Sequence, residues 1–312
     1  MKGPIKLIVS PAEAGQKLVQ YLGRVLGKDV PGSVFMRWIR TGQVRVDGKR
    51  AKPFDRLEEG QGVRLPPFAE VPEERAAAQL TSCPPDVPSG AAPSAFSLGI
   101  VPLGLTMLAE TDAWLVIAKP AGLPVHPGSG WIDSVQTRLN AAYGGSAFIP
   151  AIAHRLDKDT SGVLLAAKTH RALTSAHEAF KCGQATKEYL CWVWGKWELS
   201  PPGAAVDLTD RLEKSGLPGR EKMHVGAGKE ARLAATPLLI EADRTLLRVR
   251  LFTGRTHQIR AQLASRGHPI KGDAKYGGGN PPMLLHAWRL TVMEDRFECP
   301  PPWTGEWAVE AT

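Results

Sequence analysis

The sequence predicts two folded units: a small helix–helix–hairpin α/β module at the N-terminus, then an α+β domain built on a mixed, largely antiparallel sheet. Three observations carry this. The chain has 312 residues, more than one average domain of roughly 100–200. Eight prolines fall between Pro66 and Pro102, together with PSGAAPS and the acidic Glu70, Glu73 and Glu74, a composition expected of a linker and not of a core. Beyond it, strand-like runs are irregularly spaced with no repeating βαβ unit, which argues against a doubly wound sheet. The expected division is therefore 1–66, a linker over 67–106, and a second domain over 107–312.

In the first unit, Leu18, Leu22 and Leu26 recur every four residues within Lys17–Leu26, one stripe of a helix. A second helical pattern begins at Val34–Ile39 and is stopped by Thr41-Gly42. Gln43–Val46 then alternates polar and apolar, Asp47-Gly48 is a hairpin turn, and Gly62–Leu65 alternates again. In the second unit, Trp114–Ala118, Val163–Ala167, Tyr189–Trp194 and Leu246–Leu251 read as strands, and His170–Lys181 and Thr256–Ser265 as helices.

Charge narrows the partner. The net charge is +8, and residues 1–66 hold thirteen Lys and Arg against six Asp and Glu, so seven of those charges sit in the N-terminal fifth. That bias favours a polyanion. Within this unit Arg37, Arg40, Arg45, Lys49, Arg50 and Lys52 interleave with Trp38 and Val44, as a phosphate-tracking face or a solubilising surface both require. The four cysteines, at 83, 182, 191 and 299, form neither a zinc spacing nor a disulfide framework and read as reduced thiols. No apolar run reaches the length of a membrane helix, and the first residues carry no secretory signal, so a cytoplasmic protein is expected. Neither a phosphate loop nor a dinucleotide fingerprint occurs, and no metal or nucleotide cofactor is expected.

Two segments look chemical. His154–Gly162 packs charged and titratable side chains ahead of the apolar run Val163–Ala167, a setting that can hold a carboxylate fixed and partly desolvated. A solvated loop would have the same composition, and spacing does not rank Asp157 against Asp159. The second, Thr253–Arg260, is a glycine turn leading into a helix with Ile259 and Leu263 inward and Arg260 on another face. Arg255 stands where strand gives way to helix, placed to pair with a carboxylate, bind phosphate or lie on the surface. Tyr189 opens the strand of Lys187-Glu188-Tyr189, where its ring serves either a stacking surface or the core. Lys119–His126 reads as a rigid structural loop.

Taken in order, HRLDKDTSGVLLAAKT (154–169), KEYLCWVWG (187–195), LFTGRTHQIR (251–260), GHPIKGDAKYG (267–277) and LLHAWRL (284–290), with AKPAGLPVHPG (118–128) before them, resemble the RluA-type pseudouridine synthases over about 107–300. Residues 12–66 resemble the ribosomal S-four-type RNA-binding module through VPGSVFMRWIRTGQVRVDGKR (30–50) and Glu59-Gly60-Gln61. This order of modules is similar to the large-subunit ribosomal RNA branch, with transfer RNA modification or a non-catalytic assembly factor as rivals. The resemblance implies a pseudouridine synthase fold, no cofactor and RNA as partner; the sequence leaves the oligomeric state open, with a monomer expected. It also implies that Asp157 is the essential carboxylate, Arg255 its partner and Tyr189 the surface under the target uracil, while Arg155, beside His154, enters the gap left by the extruded base. Two departures stand out: Gln262 occupies a place where many relatives have His, and 201–235 is looser than the family pattern.

Those residue types suit the reaction. Converting uridine to its carbon-linked isomer breaks the bond between base nitrogen and anomeric carbon, turns the uracil and rejoins it through a ring carbon, with nothing oxidised or imported. A single carboxylate serves, either by attacking the sugar or by removing a proton from it. A base inside folded RNA must first be flipped out, at a cost of a few kcal/mol, and held against an aromatic face.

Overall fold

The computed structural model describes residues 5–27, 30–67, 69, 99–101, 104–128, 132–216 and 222–309. The first unit comprises β1 (Lys6–Ile8), α1 (Leu18–Val25), α2 (Gly32–Thr41), β2 (Arg45–Val46), β3 (Lys49–Arg50) and β4 (Gly62–Arg64). Leu18, Tyr21, Leu22 and Val25 form the buried stripe of α1, and Phe35, Trp38 and Ile39 that of α2, which ends at the left-handed Gly42. These side chains close one core against a four-stranded sheet of order β1-β4-β2-β3. Asp47 and Gly48 both take positive φ, as a two-residue hairpin turn demands. β1 escaped the sequence reading because three residues are too few to show a period.

The second unit is one large sheet: β5 (Gly99–Val101), β6 (Leu105–Glu110), β7 (Trp114–Lys119), β8 (Ala151–Ile152), β9 (Ser161–Ala167), β10 (Ala185–Trp194), β11 (Val206–Ser215), β12 (Lys222–Val225), β13 (Lys229–Ile240), β14 (Arg244–Leu251), β15 (Leu285–Val292) and β16 (Asp295–Glu298). Its order is β12-β11-β13-β14-β10-β15-β9-β7-β6-β5, with β16 on β15 and β8 on β9. Among the described residues every pairing is antiparallel except β9 with β15, so the mixed, largely antiparallel sheet is confirmed. The sheet begins at Gly99 and takes in β5 and the start of β6, on the linker side of the boundary expected at 106. Most of the expected linker, Phe68 and 70–98, lies outside the described residues.

Helices α3 (Val135–Ala142), α4 (His170–Lys181) and α5 (Gln258–Ala264) complete the layers. β9 is buried along its whole length, which explains its unbroken apolar run. One of its faces belongs to the cluster that holds Val135 and Leu139 of α3, and the other to the cluster that holds Ala172, Ala176 and Ala179 of α4. α4 starts where Thr169 Oγ1 accepts from the Ala172 N–H at 3.0 Å.

The single parallel contact spans two residue pairs, Ser161 with His286 and Gly162 with Ala287. Gly162 sits at φ 114°, and a β-carbon there would lie 2.2 Å from the Ala287 carbonyl oxygen, so only glycine fits. His286 Nε2 donates to the Cys299 carbonyl at 2.8 Å, leaving Nδ1 to accept from the Ser161 hydroxyl at 2.8 Å. Burial pushes this imidazole down to about 4, so it is neutral at pH 7.

Candidate active site

A cleft of about 680 Å³ opens between the turn that precedes β9, the start of β10 and the segment that joins β14 to α5. Asp157 lies in the turn before β9, where its carbonyl accepts from Thr160 N–H at 3.2 Å, and its side chain is 27% exposed to the cleft. Asp159, two residues on, is exposed and absent from the cleft lining. Geometry thus ranks the two carboxylates that spacing left tied.

The cation that meets Asp157 is Arg260, not Arg255. Arg260 Nη1 donates to Asp157 Oδ2 at 3.1 Å, while its Nε and Nη2 form a fork on Asp273 at 2.7 and 2.8 Å. Burial disfavours its charge, but Asp273 and then Asp157 outweigh that and hold the guanidinium firmly protonated. Arg255 stays at the cleft rim, exposed, with Nε donating to the Glu230 carbonyl at 2.8 Å. The expected pairing fails because Arg255 precedes α5: Gln258 Oε1 accepts from its backbone N–H at 3.0 Å and holds the residue against β13. Arg260, read from sequence as facing elsewhere than Ile259, is inward too, because this seven-residue helix buries every position from Gln258 to Leu263.

Around this pair the site is closed on several sides. Tyr276 stacks on the Arg260 guanidinium at 5.1 Å, accepts from the Met223 N–H, and lies 3.1 Å from His257 Nδ1. His257 Nε2 is 3.9 Å from Asp157; burial lowers its pKa and Asp157 only partly restores it. Tyr189 is 7% exposed and lines the cleft on β10. Burial, and then the Asp157 charge, push its phenol well above the usual range, so it stays a neutral aromatic surface.

Arg155 is exposed at the mouth of the cleft. His154 lines the same cleft, but its Nε2 accepts from the Leu165 N–H at 3.1 Å, and burial and Lys187 push it down to about 3. It offers no charge to a phosphate. Lys119, in the loop read as structural, donates to the carbonyls of Pro120, Leu123 and Lys158 at 2.8–2.9 Å. Its ammonium therefore ties that loop to the turn carrying Asp157. Burial lowers it to about 8, against the pull of Asp159 and Asp157.

In the first unit, Arg37, Arg40, Arg50 and Lys52 line one groove of about 690 Å³ between α2 and the end of β3. Arg45 is turned back onto the carbonyls of Gly42 and Gly48, and neither it nor Lys49 lines the groove.

Residues 113–265 match the RNA pseudouridylate synthase family. The ribosomal large subunit pseudouridine synthase C of Escherichia coli (strain K12) is 37% identical over 279 residues, 88% of this chain and 80% of that protein. The protein of that name from Haemophilus influenzae is 34% identical over 94% of this chain and 87% of its own. The solved structure of human RNA Pseudouridylate Synthase Domain Containing 1 superposes with a TM-score of 0.53 at 25% identity, covering 64% of this chain and 83% of that one. The chain belongs to the RNA pseudouridylate synthase family. It is an isomerase that converts uridine in RNA to pseudouridine. Among the described residues no helix is long and apolar enough to cross a membrane.

Proposed function

We propose that this enzyme modifies uridine in large-subunit ribosomal RNA, with Asp157 as the catalytic carboxylate, Tyr189 as the surface under the uracil and Arg260 as the cation that orients Asp157. One observation carries the roles: at the cleft wall a carboxylate touches a buried guanidinium, itself forked onto Asp273, beside a neutral aromatic ring. The ribosomal substrate is supported by the relatives named above, which match this chain over most of its length.

In this reading the flipped uridine enters the cleft with its base against Tyr189 and its sugar facing Asp157. The carboxylate acts on the sugar as nucleophile or base while the bond from base nitrogen to anomeric carbon breaks; the uracil turns and bonds through its ring carbon, that carbon loses its proton, the freed nitrogen takes one up, and Asp157 is regenerated. Arg260 offsets the cost of keeping the carboxylate ionised once RNA excludes water. Residues 1–66 serve as an S-four-type RNA-binding module, with Arg37, Arg40 and Arg50 on phosphates, and residues beyond Pro66 tether it to the catalytic domain in the cytoplasm.

The test incubates the purified protein separately with unmodified transcripts of large-subunit ribosomal RNA and transfer RNA and maps pseudouridine at single-nucleotide level. Discrete new sites in the ribosomal transcript are expected. Modification confined to transfer RNA would overturn the substrate, and none in either would overturn the catalytic roles.

A further inference from the structure

A phenyl ring stands exposed at the lip of the cleft. Along β14 the side chains alternate: Leu247, Val249 and Leu251 are buried in the core, whereas Arg248 and Arg250 face outward, and Phe252, next in that outward row, is 48% exposed. Across the ladder the Phe252 N–H donates to the Arg232 carbonyl at 3.1 Å, which puts the Arg232 side chain beside it. The guanidinium carbons of Arg232 and Arg250 lie 5.7 and 5.6 Å from the ring centroid. Both arginines are exposed, and among the described residues neither is paired with a carboxylate. A half-exposed phenyl ring flanked by two exposed guanidinium groups is the kind of surface that single-stranded nucleic acid uses, bases on the ring and phosphates on the guanidinium groups.

Its position relative to the reacting carboxylate is fixed. Leu251, Gly254 and Arg255 line the cleft, so Phe252 stands where the wall turns onto the outer face of the sheet. Gln258, 3% exposed, locks that turn. Its Oε1 accepts from the Thr253 hydroxyl at 2.7 Å and from the Arg255 N–H at 3.0 Å, and its Nε2 donates to the Arg232 carbonyl at 3.0 Å. Gln258 opens α5, the helix that carries Arg260. Phe252 and Arg260, the cation that meets Asp157, are thus carried by one short segment.

We propose that Phe252, flanked by Arg232 and Arg250, is a stacking platform for an unpaired base beside the target uridine, with the two guanidinium groups on the adjoining phosphates. The proposal rests on the RNA substrate of the enzyme. It deepens the reading of the site by giving the strand that leaves the cleft a defined path past the end of β14.

Two measurements on Phe252→Ala, Phe252→Leu and Phe252→Trp test it. The first is the kcat and KM for pseudouridine formation in the unmodified large-subunit ribosomal transcript. The second is fluorescence anisotropy of a fluorescein-labelled decauridylate. Loss of one base–aromatic stack weakens binding roughly 5- to 100-fold. Ala and Leu are therefore expected to raise KM and the decauridylate Kd about tenfold with kcat within twofold, and Trp to match the native enzyme. Leucine retains apolar contact without a stacking face, so a leucine variant that binds like the native protein would overturn the proposal, as would an alanine variant within twofold of it. If the native enzyme forms no pseudouridine in that transcript, the ribosomal assignment falls, and the anisotropy series still decides the platform.

Discussion

Replacing Asp273 by Asn tests what holds the catalytic cation. The Asp273 side chain is fully buried and accepts four N–H groups: Arg260 Nε at 2.7 Å, Arg260 Nη2 at 2.8 Å, and the backbones of Lys275 and Tyr276 at 3.1 and 3.3 Å. The amide has nearly the same shape, but it carries no charge and sets an NH2 against a donor. Breaking one side of a buried ion pair costs about 3–5 kcal/mol. Asp157 still faces Arg260 and one amide oxygen still accepts, so the lower end, about 3 kcal/mol, is expected. For a domain of this size that corresponds to a fall in Tm of roughly 6–12 °C. Urea unfolding followed by tryptophan fluorescence measures it. A misaimed Arg260 should also lower kcat about 100-fold with little change in KM, since displacement of a catalytic group by about 1 Å costs that much. A loss below about 1 kcal/mol together with kcat within threefold of the native enzyme would show that the fork does not position Arg260.

Three further outcomes follow from the same geometry. Asp157→Asn should bind RNA within about twofold of the native protein yet show no turnover, because an amide is neither nucleophile nor base; residual activity within tenfold would remove Asp157 from the chemistry. His286 is held near 4 in the folded chain against 6.5 in the open chain, so between these values the unfolded state takes up a proton that the folded state refuses. Stability should therefore fall as pH drops from about 6.5 to 4, by about 3 kcal/mol from this group, and urea titrations of His286→Gln should show a correspondingly shallower acid loss. Substituting Arg37, Arg40 and Arg50 with Gln should weaken binding to ribosomal RNA and reduce the slope of log K against log salt by about 2, at roughly 0.7–0.9 per phosphate contact; an unchanged slope would place the RNA elsewhere.

Much of the scaffold was readable because burial and period coincide. Val163–Ala167 is an unbroken apolar run, and it lies in a strand covered on both faces; Leu18 and Leu22 keep helical spacing, and α1 buries them. Asp157 and Tyr189 are singled out by motif resemblance, and the structure shows that both line the cleft. The partner of Asp157 was misassigned because Arg255 and Arg260 lie in one block of the sequence, and the amphipathic pattern is a poor guide for a helix as short as α5, which is enclosed all round. Asp273, in GHPIKGDAKYG, was the available signal: a buried carboxylate needs a cation, and Arg260 is the one it finds. The duty of Lys119 was hidden for another reason, since backbone carbonyls as partners leave no trace in residue identity.

The lone parallel junction divides the sheet into halves that are each continuous in sequence, β5 to β9 and β10 to β16. Asp157 belongs to the first, Tyr189 and Arg260 to the second, so the proposed reaction centre spans a seam whose ladder has two residue pairs and whose remaining hold is side-chain packing. Catalytic competence is thus a property of docking rather than of either half. A chain whose halves fold faithfully but meet slightly out of register would leave its RNA untouched.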